Sequence, residues 1–181
     1  MPTDSEIINH CQKWIQQFVI GLNFCPFASF VFVQNKIAYK VLAAAKRKAV
    51  VAEVLAICQQ LGADTAQETA LLILPDGWAD FYQFLDLVEI VNNQLIMNKL
   101  ATDFQIATFH PDYVFEGKDY AEASNFTNRS PYPILHILRQ SSISWAVKNH
   151  PNTLDIPNQN IATANQIGYQ NLQKDWEQFF D

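Results

Sequence analysis

The sequence predicts an α/β layered domain: a small, mainly parallel sheet of three to four strands packed by helices, with extra helices at the N- and C-terminal ends. Three observations lead there. Short apolar runs at residues 69–74 and 104–109 alternate with longer stretches of helical composition, a pattern that favours parallel strands joined by right-handed crossovers. An apolar fraction of 49% and thirteen phenylalanines suffice for a packed core. At 181 residues, with no internal repeat, linker or low-complexity tract, the chain reads as one domain over residues 1–181.

The elements follow in order. Thr3 and Glu6 have capping-box spacing. Ile7, Cys11, Trp14 and Phe18, flanked by Ile8, Ile15 and Val19, form an amphipathic stripe that Gly21 terminates. After the loop Leu22-Asn23-Phe24-Cys25-Pro26-Phe27, residues 30–33 and 37–42 flank Gln34-Asn35-Lys36. That reads as a hairpin with an antiparallel edge, or as an irregular approach to one strand. Residues 46–61 are helical, with Val50, Val54, Ile57, Cys58 and Leu61 facing inward and Gly62 at the end. Residues 69–74 make a buried strand closed by Pro75-Asp76-Gly77, and residues 78–97 a long apolar helix whose aromatic stripe is core. A third strand at 104–109 runs into His110-Pro111, and a polar loop covers 115–124.

The stretch Asn125-Phe126-Thr127-Asn128-Arg129-Ser130-Pro131-Tyr132-Pro133 is dense in hydrogen-bonding side chains. Two prolines bracket Tyr132 and hold Ser130 and Tyr132 extended. Pro133 suits the first position of a helix that carries Ile134, Leu135, Ile137 and Leu138 to the core. His136 and Arg139, three apart, then share its other face. That helix ends near Trp145. A turn at His150-Pro151-Asn152, structural in role, leads to a last helix from Ile156-Pro157 that presents Ile161, Ala164, Gly168, Leu172 and Phe179.

A net charge of -6 argues against nucleic acid or an anionic membrane as a general partner. No secretory signal and no apolar run of spanning length is present. Three well-separated cysteines, Cys11, Cys25 and Cys58, fit free thiols in a reducing compartment, so the expected location is the cytoplasm. There is no Cys-x-x-Cys, His-Glu-x-x-His, Gly-rich phosphate loop or Gly-x-Ser-x-Gly elbow.

The candidate chemistry rests on a few residues. His110, directly after a strand, stands where ligands gather in open α/β sheets and would be an acid–base group or metal ligand; the alternative is a histidine that caps a loop through a carbonyl. His136 is either a proton carrier or a satisfied core residue. Arg129 and Arg139, two of only three arginines, would clamp a carboxylate or phosphate, unless they pair internally with Asp112, Glu116 or Asp119. A loop bearing Arg129 that enters a helix start is a good place for an anion. Cys25 would be a nucleophile if a histidine or cation supports its thiolate, although the dipole of the preceding helix works against that; the alternative is a small apolar side chain in a tight turn. Cys25-Pro26 is also a dipeptide in which a thiolate can ligate haem iron.

Asn23-Phe24-Cys25-Pro26-Phe27, Phe109-His110-Pro111, Thr127-Asn128-Arg129-Ser130-Pro131-Tyr132-Pro133 and Leu135-His136-Ile137-Leu138-Arg139 together resemble one bacterial group, domain-of-unknown-function family 1415. The resemblance runs from the first amphipathic helix to Ile156-Pro157 and Asn160. It implies a soluble bacterial protein of one domain and no particular activity or cofactor. The positions that match its pattern are Asn23, Cys25, His110, Asn128, Arg129, His136 and Arg139.

The leading expectation is an enzyme that hydrolyses or transfers a group on a small anionic metabolite. Cys25, His110 and His136 would be catalytic, and Asn23, Asn128, Arg129 and Arg139 would bind substrate. One alternative is a metal- or haem-binding protein using Cys25 and His110. The other is a noncatalytic interaction module whose polar stretch is an internal hydrogen-bond network.

Overall fold

The computed structural model describes residues 2–149 and 152–180; His150-Pro151, in the turn assigned a structural role above, lies outside them. Helix α1 (Asp4–Trp14) begins with the expected capping box and continues as a π-helical turn over Ile15–Ile20. Its inward residues are Ile7, Cys11, Trp14, Ile15 and Phe18. Helix α3 (Arg47–Ala63) buries Val50, Val54, Ile57, Cys58 and Leu61, the five expected. Helix α4 (Phe81–Met97) buries Phe84, Leu87, Val91 and Leu95. Among the described residues, no helix is long and apolar enough to cross a membrane.

Four strands form one sheet in the order β1 (Ile37–Val41), β2 (Thr69–Ile73), β4 (Ile134–Arg139), β3 (Phe104–Phe109). β1 and β2 pair in parallel, and β4 is antiparallel to both β2 and β3. Three strands therefore share one direction, as the alternation of runs suggested, while two of the three pairings are antiparallel. The connections through α3 and α4 return the chain to the same end each time. A one-strand gap remains between β2 and β3, and β4 fills it from the opposite end.

That strand replaces the helix expected after Pro133. Ile134, Leu135 and Ile137 are all fully buried, because β4 is an inner strand with helices on both faces. Such a run has no alternation to reveal it, so its apolar residues fit either structure. Pro133 stands just before the strand, where its missing N–H is harmless, and its carbonyl accepts Leu74 N–H at 2.9 Å.

No hairpin forms at residues 30–42. Residues Ala28–Val33 are the short helix α2, which is the irregular approach to one strand. Asn35, at φ 52°, makes the turn, and β1 finds its partner in β2. β4 runs directly into helix α5 (Gln140–Asn149), and the last helix is two, α6 (Ile156–Ile167) and α7 (Tyr169–Glu177). They divide at Gly168, whose φ of 83° an L side chain resists.

Two cores result. Leu72, Leu135 and Ile137 pack on α3 and α4, while Leu71, Ile73 and Ile134 pack on α1, Phe126, Leu172 and Phe179. Alternation along each strand thus decides which layer a side chain meets.

Candidate functional site

The polar segment between β3 and β4 lies beyond the carboxyl ends of β1, β2 and β3, where a binding loop was expected. Asn125, fully buried, builds it. Its Oδ1 accepts Phe115 N–H at 3.1 Å and its Nδ2 donates to the carbonyls of Asp119 (2.8 Å) and Tyr120 (3.3 Å). One side chain therefore replaces the secondary structure that residues 115–120 lack.

Arg129 closes the same loop. It is 1% exposed; Nε donates to Tyr113 O at 3.3 Å and Nη2 to Tyr120 O at 2.7 Å. Its guanidinium carbon lies 4.3 Å from the ring centre of Tyr120, 4.6 Å from Phe126 and 5.7 Å from Tyr169. Among the described residues the one ion pair is Lys40–Glu53 at 3.7 Å, so Arg129 has no carboxylate partner at Asp112, Glu116 or Asp119. Carbonyl dipoles and ring faces hold this cation instead.

His110 follows Phe109 and so points to the α4 side. Its Nε2–H donates to Trp78 O at 2.9 Å, and its Nδ1 accepts Asp112 N–H at 3.0 Å. A carbonyl can only accept and an amide only donate, so the ring is the neutral Nε2–H tautomer. Burial holds its pKa below the ordinary histidine value, against the Trp78 carbonyl and the charges of Asp112 and Asp80. Both nitrogens are engaged, which matches the loop-capping alternative.

Asn128 has an edge role. Its carbonyl accepts His110 N–H and its Nδ2 donates to Thr108 O, both at 3.2 Å. With Phe104 N–H given to Leu100 O at 2.9 Å, much of the outer edge of β3 is covered.

His136 faces the other side of the sheet, because β4 is a strand. Its Nε2–H donates to Thr69 Oγ1 at 2.7 Å, whose hydroxyl donates to Ile137 O at 2.6 Å. Burial lowers its pKa to about 4. Cys25 sits in the helical layer on that side; burial raises its thiol pKa, and the N–H groups of Phe27 and Ala28 oppose the rise.

Asn23 is exposed at φ 56° and turns the chain out of the π-helical segment, where Phe24 N–H reaches Val19 O at 2.9 Å. Asn23→Ala is expected to lower stability by about 1 kcal/mol, and Asn23→Gly to leave it nearly unchanged, in urea melts.

Arg139 corrects the expected clamp most sharply. It ends β4, so a six-residue strand, roughly 20 Å, separates it from the Arg129 end of the sheet. On a strand, residues three apart face opposite sides, so Arg139 does not share a face with His136 either. Its Nη2 caps the end of α3, donating to the carbonyls of Leu61 (2.5 Å), Asp64 (2.9 Å) and Gln67 (3.0 Å). Arg139 also borders a polar hollow of about 500 Å³ with Thr102, Asp103, Gln140, Ser141 and Ser144.

The family model described as "Protein of unknown function (DUF1415)" matches residues 6–174. The chain belongs to this family. No curated protein and no solved structure matches it. The DUF1415 match takes in all four strands and every candidate residue. Within this DUF1415 domain, His110 and His136 stand on opposite faces of the sheet, and Arg129 and Arg139 at opposite ends. Among the described residues no group of three or more His, Cys, Asp or Glu is arranged to hold a metal, so Cys25, His110 and His136 do not form one. Sequence reasoning missed Asn125 as the loop's organiser and Thr69 as the partner of His136. Asn125 was visible as the start of the polar stretch, whereas Thr69 is 67 residues away and gave no signal.

Proposed function

We propose that the protein binds a small anionic metabolite, with Arg139 and the first turn of α5 as the receptor. One observation carries this: Arg139 borders a polar hollow, formed with Thr102, Asp103, Gln140, Ser141 and Ser144. Its Nη2 is taken by α3, but Nε and Nη1 have no acceptor among the described residues. Gln140 N–H is bonded to Asp103 O at 2.8 Å, and the N–H groups of the next residues have no intrahelical acceptor. Asp103 brings a carboxylate to the rim, so the ligand class that fits is a carboxylate with an N–H or O–H donor of its own. The placement of His110 and His136 on opposite faces of the sheet favours binding over hydrolysis or group transfer by a trio of Cys25, His110 and His136, and over a metal or haem shared by them. Asn23, Asn128 and Arg129 serve the loops in this reading.

A titration followed by amide NMR tests it, with lactate, glycine, succinate and inorganic phosphate as probes. Lactate or glycine is expected to shift the amides of Ser141, Ser142 and Ser144. Ser141→Asp, at an exposed position, should weaken that binding about tenfold or more without lowering the melting temperature. No shift at millimolar probe, or equal binding by the variant, would refute the assignment.

A second reading is favoured by the sealing of Arg129. If the segment between β3 and β4 is only an internal network, the protein is a noncatalytic interaction module, and all four probes leave its amides unmoved.

A further inference from the structure

The two edges of the sheet are treated differently. On β3, Asn128 and Leu100 occupy outward backbone groups. On β1 the ladder shows which groups are left over. Lys36 O accepts N–H groups from Glu68 and Thr69, and Leu42 N–H donates to Ile73 O. Alternate residues of a strand address the same neighbour, so the even-numbered residues face β2. Ile37, Tyr39 and Val41 direct their N–H and C=O groups away from the sheet. Among the described residues no further strand pairs with them.

Beside this open edge lies a second hollow, of about 490 Å³, between β1 and α3. Ala38, Ala70, Ile57 and Leu61 give it an apolar floor, and the Lys40–Glu53 pair stands at its rim. It exists because two alanines occupy the sheet under α3, and it reaches the edge itself.

We propose that β1 pairs antiparallel with β1 of a second copy of this chain, about a two-fold axis at Tyr39. The sequence Ile37-Ala38-Tyr39-Lys40-Val41 is self-complementary under that operation. Ile37 lies opposite the partner's Val41, and Tyr39 opposite its own copy, on the face that already carries the second core. On the other face each Ala38 lies opposite the partner's Lys40, a small residue against a long one. The lysine stem then crosses the partner's alanine floor, and its ammonium exchanges one Glu53 for the other. Lysine on an edge strand ordinarily discourages pairing; here the hollow receives it. Ile37, Tyr39 and Val41 supply the backbone hydrogen bonds of the joined eight-stranded sheet. A joint of two short strands buries little surface, so association depends on concentration.

Sedimentation from micromolar to millimolar chain, combined with amide hydrogen exchange, tests this. The expected result is a rise toward twice the chain mass, with the amides of Ile37, Tyr39 and Val41 becoming protected as it rises. Lys40→Glu changes an exposed side chain and sets two acids against each Glu53; it should weaken association at least tenfold while the fold is kept. Val41→Pro removes one outward donor, a substitution edge strands tolerate on that side, and should act the same way. A single-chain mass throughout overturns the proposal. So does a dimer whose three outward amides exchange freely, or one that Lys40→Glu leaves intact.

Discussion

Arg129→Ala is expected to lower the stability of the fold by about 3 kcal/mol. Two charge-assisted hydrogen bonds, each worth roughly 1.5–3 kcal/mol, and the ring contacts are lost, while relief of a buried charge returns part of that. The carbonyls of Tyr113 and Tyr120, which the guanidinium now serves, lose a donor. For a chain of this size the melting temperature should fall by roughly 6–12 °C. Arg129→Lys should recover little, because an ammonium cannot fork to two carbonyls while lying flat against Tyr120 and Phe126. Thermal and urea melts of the three proteins decide it. A loss below about 1 kcal/mol would mean that Asn125 alone holds the loop.

The second large effect is acid destabilisation through His136. Its folded pKa is about 4 against an ordinary 6.5, so the unfolded chain takes up the proton more readily. The resulting stability is complete above pH 6.5 and is lost as the pH falls toward 4. Its full size is up to roughly 3 kcal/mol, reduced by the residue's remaining exposure. His110 and His10, both also held low by burial, act in the same direction. His136→Phe should therefore flatten the acid slope without abolishing it, since His110 and His10 still contribute; the fold is kept because Thr69 retains its bond to Ile137 O. Urea denaturation at a series of pH values measures this, and an unchanged slope in the variant would rule His136 out as its source.

How much could be read in advance varied with how local the determining physics is. The inner face of α3 was readable because five apolar residues recur at helical spacing. The capping box of Thr3 and Glu6 is a contact over three residues. β4 was not readable, because a six-residue run buried on both faces carries neither period. Its misreading as a helix then propagated, placing His136 and Arg139 on one face when a strand sends them apart. The surroundings of Arg129 were hidden for another reason: Phe126 is a near neighbour in the chain, but Tyr120 and Tyr169 are brought to it only by the polar loop and the packing of α7. Arginine scarcity identified an unusual residue, and the fold determined what was unusual about it.

The late arrival of β4 in the chain also orders the assembly of the domain. On a ribosome, β1, α3, β2, α4 and β3 all emerge before the strand that must lie between β2 and β3. Until residue 139 clears the exit tunnel, β2 and β3 each offer a bare inner edge, and the helices have only half a surface to settle on. Insertion of one strand closes both edges and completes the core against α3 and α4, while the opposite core waits for Ala164, Leu172 and Phe179, which emerge later still.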